Sequence, residues 1–215
     1  MAKTFDFKNE YKDLYLPPEA PTLIAVPRMR FIAVDGAGNP NTAPAYAQAL
    51  EILYGLSYAI KMAKMSGDVP EGYFDYVVPP LEGLWRLSDT SIPAEEIMHH
   101  KDALIWTSLI RQPGFVTDEV FDKARETLAK KKPGLDLNRA RMLDFEEGLC
   151  VQIMHLGPYD EEPASVRRME AYAASQGYRV AFSDTRLHHE IYLADPRKTA
   201  PEKLRTVIRH PVEKA

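Results

Sequence analysis

Two glycine- and proline-rich turns, GAGNPNTAP at 36–44 and GPYDEEP at 157–163, each stand between a strand-like run and a segment with helical spacing. The order around both is the same: strand, turn, a helix with proline in or near its first turn, then more strand. This weak internal repeat constrains the chain more than any single residue. It predicts two similar α+β halves sharing one sheet system. A duplicated arrangement of this kind leaves a cleft between its halves, where ligands often bind.

In the first round, TLIAVPRMRFIAVDG (22–36) reads as strand. Pro27 cannot donate to a ladder, so it predicts an edge strand or a break. The segment 39–67 reads as a helix capped by Asn41 or Thr42, with Pro44 in its first turn and Gly67 at its stop. Its apolar stripe is Tyr46, Leu50, Leu53, Leu56, Ile60 and Ala63. Strand signals follow at 73–78, 81–87 and 102–110. A second helix is predicted over 118–132. Thr117 caps it, acidic residues open it and lysines close it, an order that suits the helix dipole.

The second round starts with strand material at 141–157, broken by a turn at Glu147-Gly148. A helix is predicted at 160–177, with Val166, Met169, Tyr172 and Ala173 on one face. HHEIYLA (188–194) reads as strand, and TAPEKLRTVIRH (199–210) as a closing helix with Thr199 and Glu202 at capping-box spacing. Residues 1–21 read as a polar, aromatic-dotted lead-in.

Composition narrows the function classes. A net charge of −4 gives no basic footprint for nucleic acid. No apolar run is long enough for a membrane span, and the N-terminus has no apolar core for a signal peptide, so a cytoplasmic location is expected. Cys150 is the sole cysteine and has no partner for a disulfide. The histidine pairs His99-His100 and His188-His189 are adjacent, so each pair points apart, and no metal site is expected.

Strand alternation puts His189, Ile191 and Leu193 on one face, and His188, Glu190 and Tyr192 on the other. The second face is either the solvated side of a half-covered sheet or the wall of a cavity. In a cavity, Glu190 would be partly desolvated, and burial raises a carboxylate's pKa toward that of a useful general base. Trp85 and Trp106, the only tryptophans, are core residues or an aromatic box for a flat or cationic ligand.

Three stretches together, VPPLEGLW (78–85), WTSLIRQPGFVT (106–117) and HHEIYLADPRKTAPEKLRTVIRHPV (188–212), resemble the stand-alone GyrI-like small-molecule-binding proteins. YKDLYLP and FIAVDGAGNPN are similar to that family as well. The resemblance implies an α+β fold of duplicated β-α-β-β units with pseudo-twofold symmetry. Its antiparallel sheet would carry helices on one side and a ligand cleft between the halves. One domain would fill 1–215: half one at about 22–111, a connecting helix at about 117–132, half two at about 139–195 and a C-terminal helix at about 199–210.

The same resemblance implies function. The fold serves as the effector-binding domain of multidrug-responsive regulators, where a buried glutamate meets lipophilic cations, and Glu190 is the matching carboxylate. Some stand-alone members hydrolyse cyclopropanoid DNA-alkylating toxins. On that reading Glu190 is the base and Tyr192, or another cavity tyrosine, hydrogen-bonds the substrate oxygen. Trp85 and Trp106 are walls, Glu82 is a second carboxylate, and Tyr159, His155 and His188 complete the ligand-binding set. Arg86 stands after Trp85 where relatives often carry a second aromatic. Arg111 is expected to pair with a carboxylate. Expected partners are planar aromatic or cationic small molecules, with no cofactor. The rival reading is a sequestering protein without turnover.

Overall fold

Several apolar runs of this chain are buried on both faces, and they pair into one continuous antiparallel sheet. The computed structural model describes residues 4–67, 69–88 and 100–215. Its first half contains β1 (Phe5–Asp6), α1 (Phe7–Glu10), α2 (Lys12–Tyr15), β2 (Thr22–Ala37), α3 (Pro44–Lys61), α4 (Ala63–Ser66), β3 (Tyr76–Val77), β4 (Leu81–Leu87) and β5 (Leu104–Arg111). α5 (Asp118–Lys131) leads into β6 (Ala140–Leu156), α6 (Glu162–Ser175), β7 (Tyr178–Val180), β8 (His188–Tyr192) and β9 (Arg205–Lys214). The units β2-α3-β4-β5 and β6-α6-β8-β9 are the two copies of β-α-β-β, joined by α5.

Among the described residues the sheet closes on itself. β6 pairs with β2, β2 with β5, β5 with β4, β4 with β8, β8 with β9, and β9 with β6, every pair antiparallel. β7 extends the end of β9, and β1 with β3 makes a separate short parallel pair. The long helices stay on the outer side. α3 packs on β2 and β5, α6 on β6, and α5 on α3. Among the described residues no helix is long and apolar enough to cross a membrane.

α3 buries Ala49, Ile52, Leu53, Leu56 and Ile60. Its N-cap position is Ala43, without a side-chain cap, rather than Asn41 or Thr42. Thr117 does cap α5, its hydroxyl accepting from the Val120 N–H at 3.3 Å, and Phe121, Ala124 and Leu128 are its buried face.

Three expectations need correction. The segment 199–210 is no closing helix: a 3-10 turn at Pro201–Lys203 leads straight into β9, and the second half runs on to Lys214. Both faces of β9 are covered, and polar Arg209 and His210 are buried next to each other, so it lacks the alternation that would have marked a strand. At Glu147-Gly148 β6 bends without turning back. Gly148 takes φ 72°, and Arg186 satisfies the carbonyls of Glu147 and Leu149 at 2.9 and 2.5 Å. Opposite this bend the β2 ladder skips Pro27 between the pairs Val26–Gly148 and Arg28–Glu146, and β5 joins β2 only from Phe31, so the proline sits on a locally free edge as its missing N–H requires. Of the stretch 73–78, only Tyr76–Val77 is strand.

The lead-in is structural rather than merely polar. Phe7, Leu14 and Tyr15 are buried, and the segment closes over a charged cluster on the sheet's inner face. There Arg209 donates to Glu147 at 3.0 Å and to the Leu14 carbonyl at 2.8 Å. His189 bridges Glu147 at 3.1 Å and Glu82 at 3.0 Å, and Tyr15 donates to Glu82 at 3.2 Å. Arg111 packs over the rings of Phe7 and Tyr11, at 4.9 and 4.3 Å from their centres, where a carboxylate partner was expected.

Candidate functional site

β8 divides its side chains as alternation dictates. His189 and Ile191 are buried on the inner face, while His188, Glu190 and Tyr192 are half-buried on the outer one. The register brings β4 into the same wall: Trp85 lies opposite His188, Gly83 opposite Glu190 and Leu81 opposite Tyr192. α3 and α6 flank this seam and leave a cavity of about 1820 Å3 between them. Tyr46, Leu50 and Tyr54 of α3 form one side, Glu162, Val166 and Glu170 of α6 the other. The cleft therefore lies between the two halves, with an apolar aromatic wall and a polar floor.

The floor is a chain of hydrogen bonds. Trp85 Nε1 donates to Tyr192 Oη at 3.0 Å, and Tyr192 donates to Glu190 Oε2 at 2.6 Å. The other carboxylate oxygen of Glu190 lies 2.9 Å from His188 Nε2. His188 Nδ1 is 2.6 Å from His210 Nε2, and His210 Nδ1 is 3.0 Å from Glu170. Glu162 sits beside this chain at the start of α6, buried, with its Oε1 lacking a hydrogen-bond partner.

The two carboxylates are driven apart electrostatically. Burial works against the charge of Glu190, but the hydrogen bonds from His188 and Tyr192 outweigh it and hold the group below the usual carboxylate range. Glu162 is buried and faces the Glu190 charge, which together outweigh the Thr206 hydroxyl beside it, so its pKa rises well above that range. Burial and Glu190 together push the Tyr192 phenol up. Burial also lifts Tyr46 and takes Tyr159 to about 12. The site thus sets a more acidic and a less acidic carboxyl side by side in the same apolar hollow.

Gly83 makes this geometry possible. A Cβ there would stand 2.5 Å from Trp85 Nε1 and 3.2 Å from Tyr192 Oη. Gly83→Ala is expected to push Trp85 off Tyr192 and lower stability by about 1–3 kcal/mol. Urea unfolding and tryptophan fluorescence would register both effects, and a variant indistinguishable from wild type would refute the close approach.

The structure brings together Glu190, Tyr192, Trp85, Tyr159 and His188, all on the cavity lining. It places three expected residues elsewhere. Glu82 is on the inner face of β4 and belongs to the buried charged cluster, because it is one residue out of phase with Trp85. Trp106 shares the outer face, opposite Trp85, but lies buried under Tyr46, edge to face at 5.0 Å. His155 is held off the cavity by Ser165 and the Pro158 carbonyl at 3.0 and 3.1 Å. Arg86 lines the cavity edge. Burial pushes the Cys150 thiol up to about 12, which leaves it unreactive.

Sequence reasoning missed Glu162, Glu170, His210 and Tyr46. Glu162 reads as an ordinary helix-opening carboxylate, and His210 fell in a segment read as helix. Glu162, His188 and Glu190 are the one group among the described residues with ligand atoms close enough, within 4.8 Å, to surround an ion. Two of these atoms already share a hydrogen bond. His188 and His189 do point apart, while His99 lies outside the described residues.

A hydrolase from Listeria innocua is 45% identical, with 98% of this chain and 100% of that one aligned and a TM-score of 0.88. An uncharacterized conserved protein from Listeria innocua aligns at 45% identity over the same shares with a TM-score of 0.91. The C-terminal domain of EcmrR shares the fold at 12% identity, covering 91% of this chain and 98% of its own, with a TM-score of 0.52. No curated protein is significantly similar in sequence. The model of the GyrI-like small molecule binding domain matches residues 19–213, so the chain belongs to the GyrI-like family.

Proposed function

We propose that the protein is a hydrolase of planar, lipophilic electrophiles of the cyclopropanoid class. The observation that carries this reading is a pair of carboxyl groups in unlike settings in one aromatic hollow: Glu190 accepts from Tyr192 and lies against His188, while Glu162 is buried beside it with an unpartnered oxygen. Similarity over the whole chain to a hydrolase supports the reaction class.

A cyclopropane fused to a dienone is an electrophile with a latent phenolate. In the proposed step Glu190 takes a proton from water as the water oxygen bonds to a cyclopropane carbon. The strained C–C bond breaks, and its electron pair moves through the dienone to the oxygen. That oxygen takes the Glu162 proton and becomes a phenol. Glu190 then returns its proton to Glu162, so the sum is substrate plus water giving a ring-opened alcohol. Tyr192 spends its own proton on Glu190. Its role is to hold the base, and the oxygen donor becomes Glu162. Trp85 and Tyr46 hold the flat substrate against the floor.

The second reading is capture of aromatic cations without turnover, which a carboxylate among rings also favours. The deciding experiment incubates the protein with excess cyclopropyl-fused cyclohexadienone and follows the mass gain of one water. Product beyond one equivalent per protein is the expected result. Saturable binding with no product would support capture and overturn the hydrolase.

A further inference from the structure

Beyond the two carboxylates, the floor holds a line of titratable groups that the proposed chemistry does not use: His188, His210 and Glu170. Their contacts fix a proton count. Three gaps, Glu190 to His188, His188 to His210 and His210 to Glu170, are each of hydrogen-bond length at 2.9, 2.6 and 3.0 Å. With both carboxylates ionised, each gap needs one N–H proton. Two neutral imidazoles carry only two.

Counting alone allows the third proton on either ring, and burial decides between them: the His188 side chain is 23% exposed and the His210 side chain 4%, so the charged ring is His188. His210 Nδ1 faces a carboxylate and so carries a hydrogen. His210 Nε2 is then the lone pair that accepts from His188 Nδ1–H. His188 must still donate from Nε2 to Glu190, so it is protonated at both nitrogens. We infer that His210 and Glu170 are positioning residues for Glu190: they hold His188 as a charged, doubly donating partner of the base. This rests on the proposed role of Glu190 as base.

The surroundings agree. From α6 Glu162 and Glu170 face the line, from α3 Tyr46 and from β8 Tyr192, while His189 acts on Glu190 through space from the inner face. From β6 Glu147 acts on His210 through space, and Tyr159 stands near Glu190. Phe182 covers His210, ring to ring at 4.8 Å. Burial pushes His210 down to about 4, which keeps it neutral and accepting at its inner nitrogen. Glu170 lies at the cavity edge and is 41% exposed, so it is replaceable without opening the core.

The test reads imidazole 15N resonances of the intact protein at neutral pH. The expected spectrum shows His210 as the less common Nδ1–H tautomer and His188 protonated at both nitrogens. In Glu170→Ala, His210 is free to turn its proton inward. Two neutral rings then satisfy both remaining gaps, and His188 loses its charge. Without that charge the acid limb of the ring-opening pH profile moves up by about one unit. Glu170→Gln keeps an acceptor oxygen for Nδ1–H and is expected to preserve the wild-type tautomer. Wild-type spectra with His210 as the Nε2–H tautomer, or with His188 neutral, would overturn the inference. The spectra need no turnover. If they read as expected while no ring opens, the positioning line stands and the hydrolase reading falls.

Discussion

Replacing Arg209 with methionine is expected to lower folding stability by about 3–5 kcal/mol, the usual loss when one partner of a buried ion pair is removed. Arg209 is fully buried and spends its donors on Glu147, Gln152 and the Leu14 carbonyl. The cluster balances two carboxylates, Glu82 and Glu147, against Arg209 and His189. Methionine fills similar volume but strands Glu147 against a single histidine that Glu82 also claims. Pairing Arg209→Met with Glu147→Gln is expected to recover part of the loss, because the uncompensated charge goes with its partner. Urea unfolding measures both variants, and a loss under about 1 kcal/mol in the single variant would show the cluster to be dispensable. The same cluster sets a pH window. Burial opposes the charge of His189, but Glu147 and Glu82 raise it from 6.5 to about 9. Its contribution is therefore complete below 6.5 and fades as pH rises through about 9. Burial likewise opposes Glu147, yet His189 and Arg209 lower it from 4.5 to about 2, so its contribution is complete above 4.5 and fades toward about 2. Stability from this cluster is greatest between those limits, and Arg209→Met moves the acid loss to higher pH.

How much of this was legible in the residues differs by element. The period-two pattern of 188–194 separated the buried face from the face that lines the cavity, and the two Gly/Pro turns marked both helices. What failed had a common cause. β9 is covered on the inside by the charged cluster and outside by α6, so it buries polar Arg209 and His210 on opposite faces and shows no period-two alternation to betray a strand. Misreading it hid His210, whose place follows only from the register of β8 against β9. Glu82 was misplaced by phase: its neighbour Trp85 is three positions on, an odd offset, which in a strand means the opposite face. Glu162 carries no local signal, since an acidic residue opening a helix is the ordinary case. Only the docking of α6 beside β8 turns it into a buried acid.

Glu190→Gln is expected to reduce kcat for ring opening by about 10^2–10^4-fold, the span typical of losing a positioned general base. Glutamine keeps the shape and can still accept from Tyr192, so loss of fold would not explain the result. Glu162→Gln is expected to fall in the same range, but the two variants should differ in pH profile. On the proposed mechanism, wild-type kcat/KM is expected to rise as pH climbs through the lowered pKa of Glu190, below the usual 4.5, because the base must be ionised. It is expected to fall again at a pH well above 4.5, where Glu162 would give up the proton that the substrate oxygen needs. Removing Glu162 deletes that alkaline limb and leaves the acid limb in place. Removing Glu190 deletes the acid limb. Should Glu190→Gln keep activity within about threefold of wild type, the carboxylate is not the base, and the two-carboxyl mechanism fails even though the cavity and its aromatic wall remain.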